Sequence, residues 1–556
     1  MAVVTGGIAP GDYAGAWWDW FWGLTKSPST RTSLLMAAWQ GALDNLQFAA
    51  KAASTSGVAP APDDPRFKAP AWSTFPFNIY AHSFKNWESW WKLALGSVPG
   101  VPARSSALVN FVGRQMFELA SPDHSLLTNP ELLEETRAEA GKNLLRGLEN
   151  WLEDTRRLLQ GEAPVGTEGF QVGATVATTP GKVIFRNRLV EVIQYTPQTP
   201  DVQAEPVLIT PAWIMKYYIL DLSPANSMVR YLVEKGHTVF MISWKNPDET
   251  DRALGMDDYV TEGFCAALDA VSAVVPQRKV HTVGYCIGGT LLSIAAAYLA
   301  GEGDTRIGSV TLLAAQTDFS EPGELSLFIS PRQLAMLEAV MHKEGVLSSE
   351  KMAGSFVLLR SRDLLWTPFI SLYVHGKREP MNDLMAWNAD GTRMPWKMHS
   401  EYLYRLYLDN ELAHGDYTVN GKTISLSSLT VPMFVVGTES DHVAPWPSVY
   451  KARGLTRSSD YTFLLTSSGH NAGIISGPSH PRRRHHVLTW HDAATSVPQA
   501  DWEKASTERA GSWWPTWETW LTEHSTPERV APPTLGDAAR GYPVIADAPG
   551  EYVRKK

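Results

Sequence analysis

Lys279-Val280-His281-Thr282-Val283-Gly284-Tyr285-Cys286-Ile287-Gly288-Gly289-Thr290-Leu291 is the stretch that decides how this 556-residue chain folds. A β-rich run leads into Gly-x-Cys-x-Gly-Gly, and an apolar helical stretch, Ile287 to Gly301, follows. Strand, sharp turn and helix with a nucleophile at the apex is the nucleophile-elbow pattern, here with Cys where Ser is commoner. Glycines at 284 and 288 suit it, because the turn is tight and neighbouring backbone segments press close. The elbow sets Cys286 at a helix N-terminus, where the dipole favours thiolate. It also aims the backbone N–H of Ile287 at the point where a tetrahedral oxyanion would form. Taken alone, the same residues also suit a buried structural cysteine in a Gly-rich turn.

Short β-rich runs flank the elbow at Val207 to Thr210, His237 to Ser243, Ser309 to Leu313, Met433 to Gly437 and Tyr461 to Leu465. Helix-like segments lie among them at Ser227 to Lys235, Asp257 to Val275 and Ile287 to Gly301. Near-continuous apolar strands separated by helices imply a parallel sheet covered on both faces. A nucleophile of this kind needs a base and an orienting acid, and in α/β-hydrolases the chain order is nucleophile, acid, base. Asp441 follows the strand Met433 to Gly437, and His470 follows the strand Tyr461 to Leu465. The expectation is an α/β-hydrolase fold over residues 166–556. The interval from about 316 to 428 is too long for a loop and reads as an inserted cap subdomain.

Residues 1 to about 165 have another texture, helical and Trp-rich. Trp17, Trp18, Trp20 and Trp22 cluster first, then Trp87, Trp90 and Trp91. Asn129-Pro130-Glu131 starts a helix, and Leu144, Leu145, Leu148 and Leu152 recur at helical spacing before Gly161. Ser54 to Pro65 reads as a loop. The Trp clusters suit either an interface with an apolar phase or the core of the helical region itself.

Composition narrows the functions. Lys and Arg number 49 against 58 Asp and Glu, a net charge of −9, which argues against a nucleic-acid binder. Two cysteines, Cys265 and Cys286, are too few for a disulfide framework and fit a reducing cytoplasm. The first twenty residues hold no Lys or Arg, unlike a secretory signal, and the longest apolar stretch is too short to span a bilayer. No metal or other cofactor is expected, since His480, His485, His486 and His491 lack a ligand pattern. His442 either lines the active site or bonds locally. Arg482-Arg483-Arg484 either attracts a phosphorylated substrate tail or is a solvated strip.

Together, Gly284-Tyr285-Cys286-Ile287-Gly288-Gly289, Asp441-His442-Val443-Ala444-Pro445-Trp446 and Gly469-His470-Asn471-Ala472-Gly473 resemble the polyhydroxyalkanoate synthases, class I being the most similar group. Lys216-Tyr217-Tyr218-Ile219-Leu220-Asp221-Leu222, Ser243-Trp244-Lys245-Asn246-Pro247-Asp248 and Trp387-Asn388-Ala389-Asp390-Gly391-Thr392 add to the resemblance. So do Gly511-Ser512-Trp513-Trp514-Pro515, Ala548-Pro549-Gly550-Glu551-Tyr552-Val553 and, near the start, Arg66-Phe67, Trp72 and Pro76-Phe77-Asn78. The chain departs from the family at Met215, where Asn is frequent, and Asn471 occupies a variable position.

The resemblance implies Cys286 as nucleophile, His470 as general base and Asp441 as its partner. It further implies (R)-3-hydroxyacyl-CoA as substrate, chiefly the four-carbon unit, a growing polyester as product, a homodimer, and a cytoplasmic enzyme on polyester storage granules. A thiolate nucleophile fits that chemistry, because exchanging one thioester for another keeps the acyl group activated. Two other readings stand beside it: a Cys-dependent thioester or lactone hydrolase, and a non-catalytic granule-coat scaffold.

Overall fold

The computed structural model describes residues 8–55, 57–60, 64–493 and 497–556. The chain divides into two compact units, residues 1–165 with 353–380, and residues 166–352 with 381–556. Part of the expected loop between Ser54 and Pro65 lies outside the described residues.

The second unit is built on one sheet of eleven strands. In chain order these are β1 (Gly181–Arg186), β2 (Val190–Tyr195), β3 (Val207–Thr210), β4 (Val239–Trp244), β5 (Val280–Tyr285) and β6 (Ile307–Leu313). They continue as β7 (Met433–Thr438), β8 (Tyr461–Thr466), β9 (Arg484–Trp490), β10 (Thr507–Ala510) and β11 (Ala546–Asp547). Across the sheet the order is β10-β9-β8-β7-β6-β5-β3-β4-β2-β1-β11. The middle six strands, β3 to β8, pair in parallel, and they are the six β-rich runs that the sequence marks. Almost every residue in them is buried, as expected when helices cover both faces.

The outer strands are antiparallel and carry no clear signal in the sequence. β1 and β2 form a hairpin whose turn is held by Asn187, its Oδ1 accepting from the N–H groups of Leu189 and Val190 at 2.8 Å each. β9 begins inside the Arg and His run, Arg484-His485-His486, where a half-exposed strand tolerates polar residues. The sequence does not mark this strand, because its apolar alternation is weak.

Register aligns the ends that matter. Thr210 sits opposite Gly284, Tyr285 opposite Leu313, and Thr438 opposite Thr466. The C-terminal ends of β3, β5, β7 and β8 therefore share one edge, which is where open α/β sheets place their ligands.

The first unit contains α1 (Pro10–Lys26), α2 (Pro28–Ser54), α3 (Phe77–Leu95), α4 (Ala103–Leu119), α5 (Pro130–Ala138) and α6 (Lys142–Gln160). Asn129 caps α5, its side chain accepting from Glu131 and Leu132, and Gly161 closes α6 in the left-handed conformation. Within this unit α6 packs its polar face. Asn143 Nδ2 donates to the carbonyl of Val374 at 3.1 Å and Asn150 Nδ2 to that of Leu372 at 3.0 Å. A Cβ on Gly147 would fall 2.0 Å from the Tyr373 carbonyl oxygen. Arg378 pairs with Asp154 at 3.0 Å, and Arg362 with Glu118 and Asp123. These bonds are why residues 353–380 of the long interval pack with the helical unit. They leave Leu145, Leu148 and Leu152 exposed.

Candidate active site

β5 ends at Tyr285 and the helix α7 (Ile287–Gly301) begins one residue later, so Cys286 alone makes the turn. Its backbone adopts φ 53° and ψ −129°, a conformation a residue with a Cβ rarely takes. Holding it there costs about 1–3 kcal/mol, which the surrounding packing must offset. That packing explains the glycines. A Cβ on Gly284 would lie 2.4 Å from Gly289 Cα, one on Gly288 would lie 2.3 Å from the Thr210 carbonyl oxygen, and one on Gly289 would lie 2.5 Å from Ala315 Cβ. The Cys286 N–H donates to the Leu313 carbonyl at 2.9 Å, extending the ladder to the apex. Ile287 is the first helical residue, so its N–H has no acceptor within the helix.

Asp441 lies on the turn after β7, fully enclosed, with both carboxylate oxygens taken. Oδ1 accepts from the N–H groups of Val443 and Ala444 at 2.9 and 2.8 Å. Oδ2 accepts from Thr438 Oγ1 at 3.0 Å and from His470 Nδ1 at 2.7 Å. His470 opens the one-turn helix α8 (His470–Ile474) after β8. Burial opposes a charge on His470. The negative charges of Asp441 and Cys286, with hydrogen bonds to both, outweigh it and hold the imidazole pKa well above its ordinary value. Burial likewise pushes against the Asp441 carboxylate, but the His470 charge, its hydrogen bond and the two backbone N–H groups hold it below the usual range. Cys286, His470 and Asp441, separated by up to 184 positions in the chain, are thus brought together, His470 hydrogen-bonded to Asp441 and near enough to Cys286 to feel its charge. The other cysteine is different in kind, since burial, then Asp269, push the Cys265 thiol up to about 12.

Two tyrosines that sequence reasoning missed lie near enough to feel the charge of Cys286. Tyr402 and Tyr407 are half-buried in a wide helical turn at Tyr402–Leu408, their hydroxyls 3.4 Å apart, and burial first, with the charge of Cys286 among the lesser causes, raises the pKa of both. The run Tyr402-Leu403-Tyr404-Arg405-Leu406-Tyr407 was the available signal.

The segment Trp387 to Thr392 braces the loop after β3. Trp387 Nε1 donates to the Lys216 carbonyl at 2.7 Å and Thr392 Oγ1 to that of Trp213 at 2.7 Å. Lys216 Nζ pairs with Asp390 at 2.8 Å, and the Tyr218 hydroxyl donates to the same carboxylate at 3.0 Å. That loop begins at the Thr210 and Pro211 carbonyls against which Gly288 packs.

Of the remaining sequence candidates, His442 is half-buried beside Asp441. Arg483 and Arg484 have protein partners: Arg483 Nη2 donates to the Ala472 carbonyl at 2.8 Å and Arg484 pairs with Glu439 at 2.8 Å. His485 and His486 sit in β9 and bond to Gly511, Thr516 and Ser506. Among the described residues no group of three His, Cys, Asp or Glu could hold a metal ion, and no helix is long and apolar enough to cross a membrane.

Comparison with known proteins gives two family matches. Residues 63–232 match the N-terminus of poly-beta-hydroxybutyrate polymerase, and residues 205–475 match the alpha/beta hydrolase fold. The sheet order above is that fold. A poly(3-hydroxyalkanoate) polymerase of Methylorubrum extorquens is 38% identical over 527 residues, covering 94% of this chain and 85% of its own. The polymerase subunit of Rhizobium meliloti is 36% identical over 88% of this chain and 80% of its own. That of Cupriavidus necator is 36% identical over 89% and 83%.

Proposed function

This chain belongs to the poly(3-hydroxyalkanoate) polymerase family, and we propose that it polymerises (R)-3-hydroxyacyl-CoA into polyester through an acyl-Cys286 intermediate. The observation that supports the mechanism is the Asp441–His470 hydrogen bond beside the Cys286 elbow at the C-terminal edge of the sheet. The Cys286 thiolate attacks the thioester carbonyl, and the Ile287 N–H is placed for the oxyanion. Coenzyme A leaves as the thiol, taking its proton from the His470 imidazolium. His470, neutral again, accepts the proton of the 3-hydroxyl of an incoming unit, whose oxygen attacks the acyl-Cys286 carbonyl and frees the thiolate. Asp441 keeps the Nδ1 proton on its own side of the ring, so that Nε2 faces the sulfur. Water would convert the acyl-Cys to free acid, and the cap residues Tyr402 and Tyr407 are placed to shield it.

The class I reading, with four-carbon units preferred, rests on the motifs quoted above. So do the homodimer and the setting on cytoplasmic granules. The exposed Trp18, Trp22, Trp39 and Trp87 of the helical unit support contact with an apolar polymer. None of these steps changes an oxidation state, and the thiolate and imidazole supply the nucleophile and the proton transfers.

Incubation with 3-hydroxybutyryl-CoA, following free coenzyme A with a thiol reagent and insoluble polyester by weight, tests the proposal. Coenzyme A release together with polymer is expected. Release with free acid alone would make the chain a hydrolase, and no release would make it a scaffold. A ten-carbon substrate at equal concentration should react more slowly, and a clear preference for it would overturn the short-chain reading.

A further inference from the structure

α8, the helix that carries His470, is a single turn of five residues, too short to hold itself together. Its last carbonyls have no donors within the helix. Three consecutive ones are nonetheless filled by side chains from elsewhere in the same unit. The Ala472 carbonyl accepts from Arg483 Nη2 at 2.8 Å, that of Gly473 from Trp513 Nε1 at 3.0 Å, and that of Ile474 from Trp514 Nε1 at 2.9 Å. Trp513 and Trp514 are fully buried, so neither indole N–H has water to turn to. Ser512 completes the corner, bonding to the Ser476 carbonyl and accepting the Trp514 N–H at 3.1 Å.

The other side of α8 is fixed as well. The Tyr285 hydroxyl, from the residue before Cys286, donates to Asn471 Oδ1 at 2.6 Å, and its ring lies 5.6 Å from that of His470. A Cβ on Gly473 would fall 2.8 Å from Thr438 Cγ2, and Thr438 is a donor to Asp441. Asn471, Ala472, Gly473 and Ile474 are therefore each tied to a different side chain, while the His470 ring bonds Asp441.

We propose that Arg483, Trp513 and Trp514 are positioning residues, which hold the His470 imidazole within reach of the Cys286 thiol by donating to three successive carbonyls of its helix. The inference rests on the Cys286–His470 chemistry proposed above and assigns a purpose to the Trp513-Trp514 motif and to the middle of the arginine run. None of the three touches a reacting atom. Their loss lets α8 drift, and a displacement of about an ångström is enough to cost a large factor in rate.

The test uses the full-length protein and four variants, Trp513→Phe, Arg483→Met, Arg483→Lys and His470→Gln. Trp513→Phe keeps an aromatic ring but removes the donor, and Arg483→Lys keeps a charged donor. One readout is the pH dependence of Cys286 alkylation by iodoacetamide, followed by mass spectrometry of its peptide. The other is kcat and KM with 3-hydroxybutyryl-CoA. Trp513→Phe and Arg483→Met should move the alkylation midpoint to higher pH, toward that of His470→Gln. They should also lower kcat roughly tenfold with KM within about twofold, and Arg483→Lys should recover most of the loss. Wild-type profiles in Trp513→Phe and Arg483→Met would overturn the proposal while His470→Gln still moves the midpoint. If His470→Gln leaves the midpoint where it was, the triad reading falls and takes this inference with it. Should Trp513→Phe fail to fold, the Arg483 pair decides the matter.

Discussion

In the sheet-bearing unit Trp502, Trp513, Trp514 and Trp517 are fully enclosed, whereas in the helical unit Trp18 and Trp39 stand 62% and 69% exposed. The contrast extends to whole helices. α7 buries apolar residues all round. α2 meets α3 within its unit partly through polar side chains: Asp44, itself exposed, bonds His82 and Asn86 at 2.8 and 2.9 Å, and Asn45 bonds Asn86 at 2.8 Å. Its Leu35, Met36, Trp39 and Leu46 face out. α6 repeats the arrangement, with Asn143 and Gly147 buried and Leu145, Leu148, Leu152 and Leu159 exposed.

The two units are consequently held by different forces. The sheet unit relies on buried apolar area. The helical unit leans on a buried ionic cluster, in which Arg66 pairs with Asp64 and Glu88 at 2.8 Å each and Lys85 with the same two carboxylates at 2.8 and 2.7 Å. Arg66 also stacks over Phe67 and Phe84, which gives the Arg66-Phe67 motif a structural role. Large apolar faces left in water on a folded unit mark an interaction surface, which is how the granule-contact reading uses them.

The sharpest way to break the comparison is chemical. Cys286→Ala should abolish coenzyme A release, a fall of roughly 10⁴ or more, because it removes the thiol at the apex of the elbow, beside His470. Melting should stay near that of the wild type, since the change in volume is small. Retained polymer synthesis would end the mechanism, and Cys265→Ala should synthesise polymer normally.

Asp441→Asn comes next. It removes the largest of the influences that raise the His470 pKa, so the imidazolium, present below its raised pKa and lost above it, should titrate at lower pH. Turnover should drop by roughly 10³. Nitrogen NMR of histidine-labelled protein reads the pKa directly, and an unmoved His470 resonance would contradict the assigned partner.

Arg66→Met probes the other unit. It leaves Asp64 and Glu88 buried with Lys85 as their remaining partner, at a cost of about 3 kcal/mol. Burial alone would raise both carboxyls, but the bonds and charges of Arg66 and Lys85 hold them below their ordinary pKa. Their stabilisation is therefore present above the ordinary carboxylate range and is lost as pH falls through the lowered native values. Hydrogen exchange should show faster opening of residues 64–95 in the variant, with a weaker dependence on acid, while the sheet strands stay protected. Equal loss of protection in both units would show that they do not differ as argued.

The smallest effect belongs to the surface. Trp18→Ser with Trp39→Ser should change the melting temperature by no more than a degree or two. Cosedimentation with polyester granules should nevertheless fall several-fold. Unchanged cosedimentation would remove these side chains from the contact.

What the sequence by itself determined is whatever depends on short spacing. The six parallel strands were legible because each is a buried apolar run bounded by turn residues. The elbow was legible because its glycines and its nucleophile lie within six residues, and the order Cys286, Asp441, His470 because each follows such a strand. Tertiary structure decided the rest. Periodicity shows that α6 has an apolar face but not which face is covered, and the bonds of Asn143 and Asn150 to Val374 and Leu372 settled that for the polar one. β9 was hidden because half-exposed pairing imposes little alternation, and β2 because Glu191 and Gln194, both buried, interrupt its apolar run. Arg483 and Trp513 read as surface strip and motif, since their purpose lies in carbonyls 11 and 40 residues away. A backbone carbonyl leaves no mark in a sequence, so only the folded chain shows which side chain finds it.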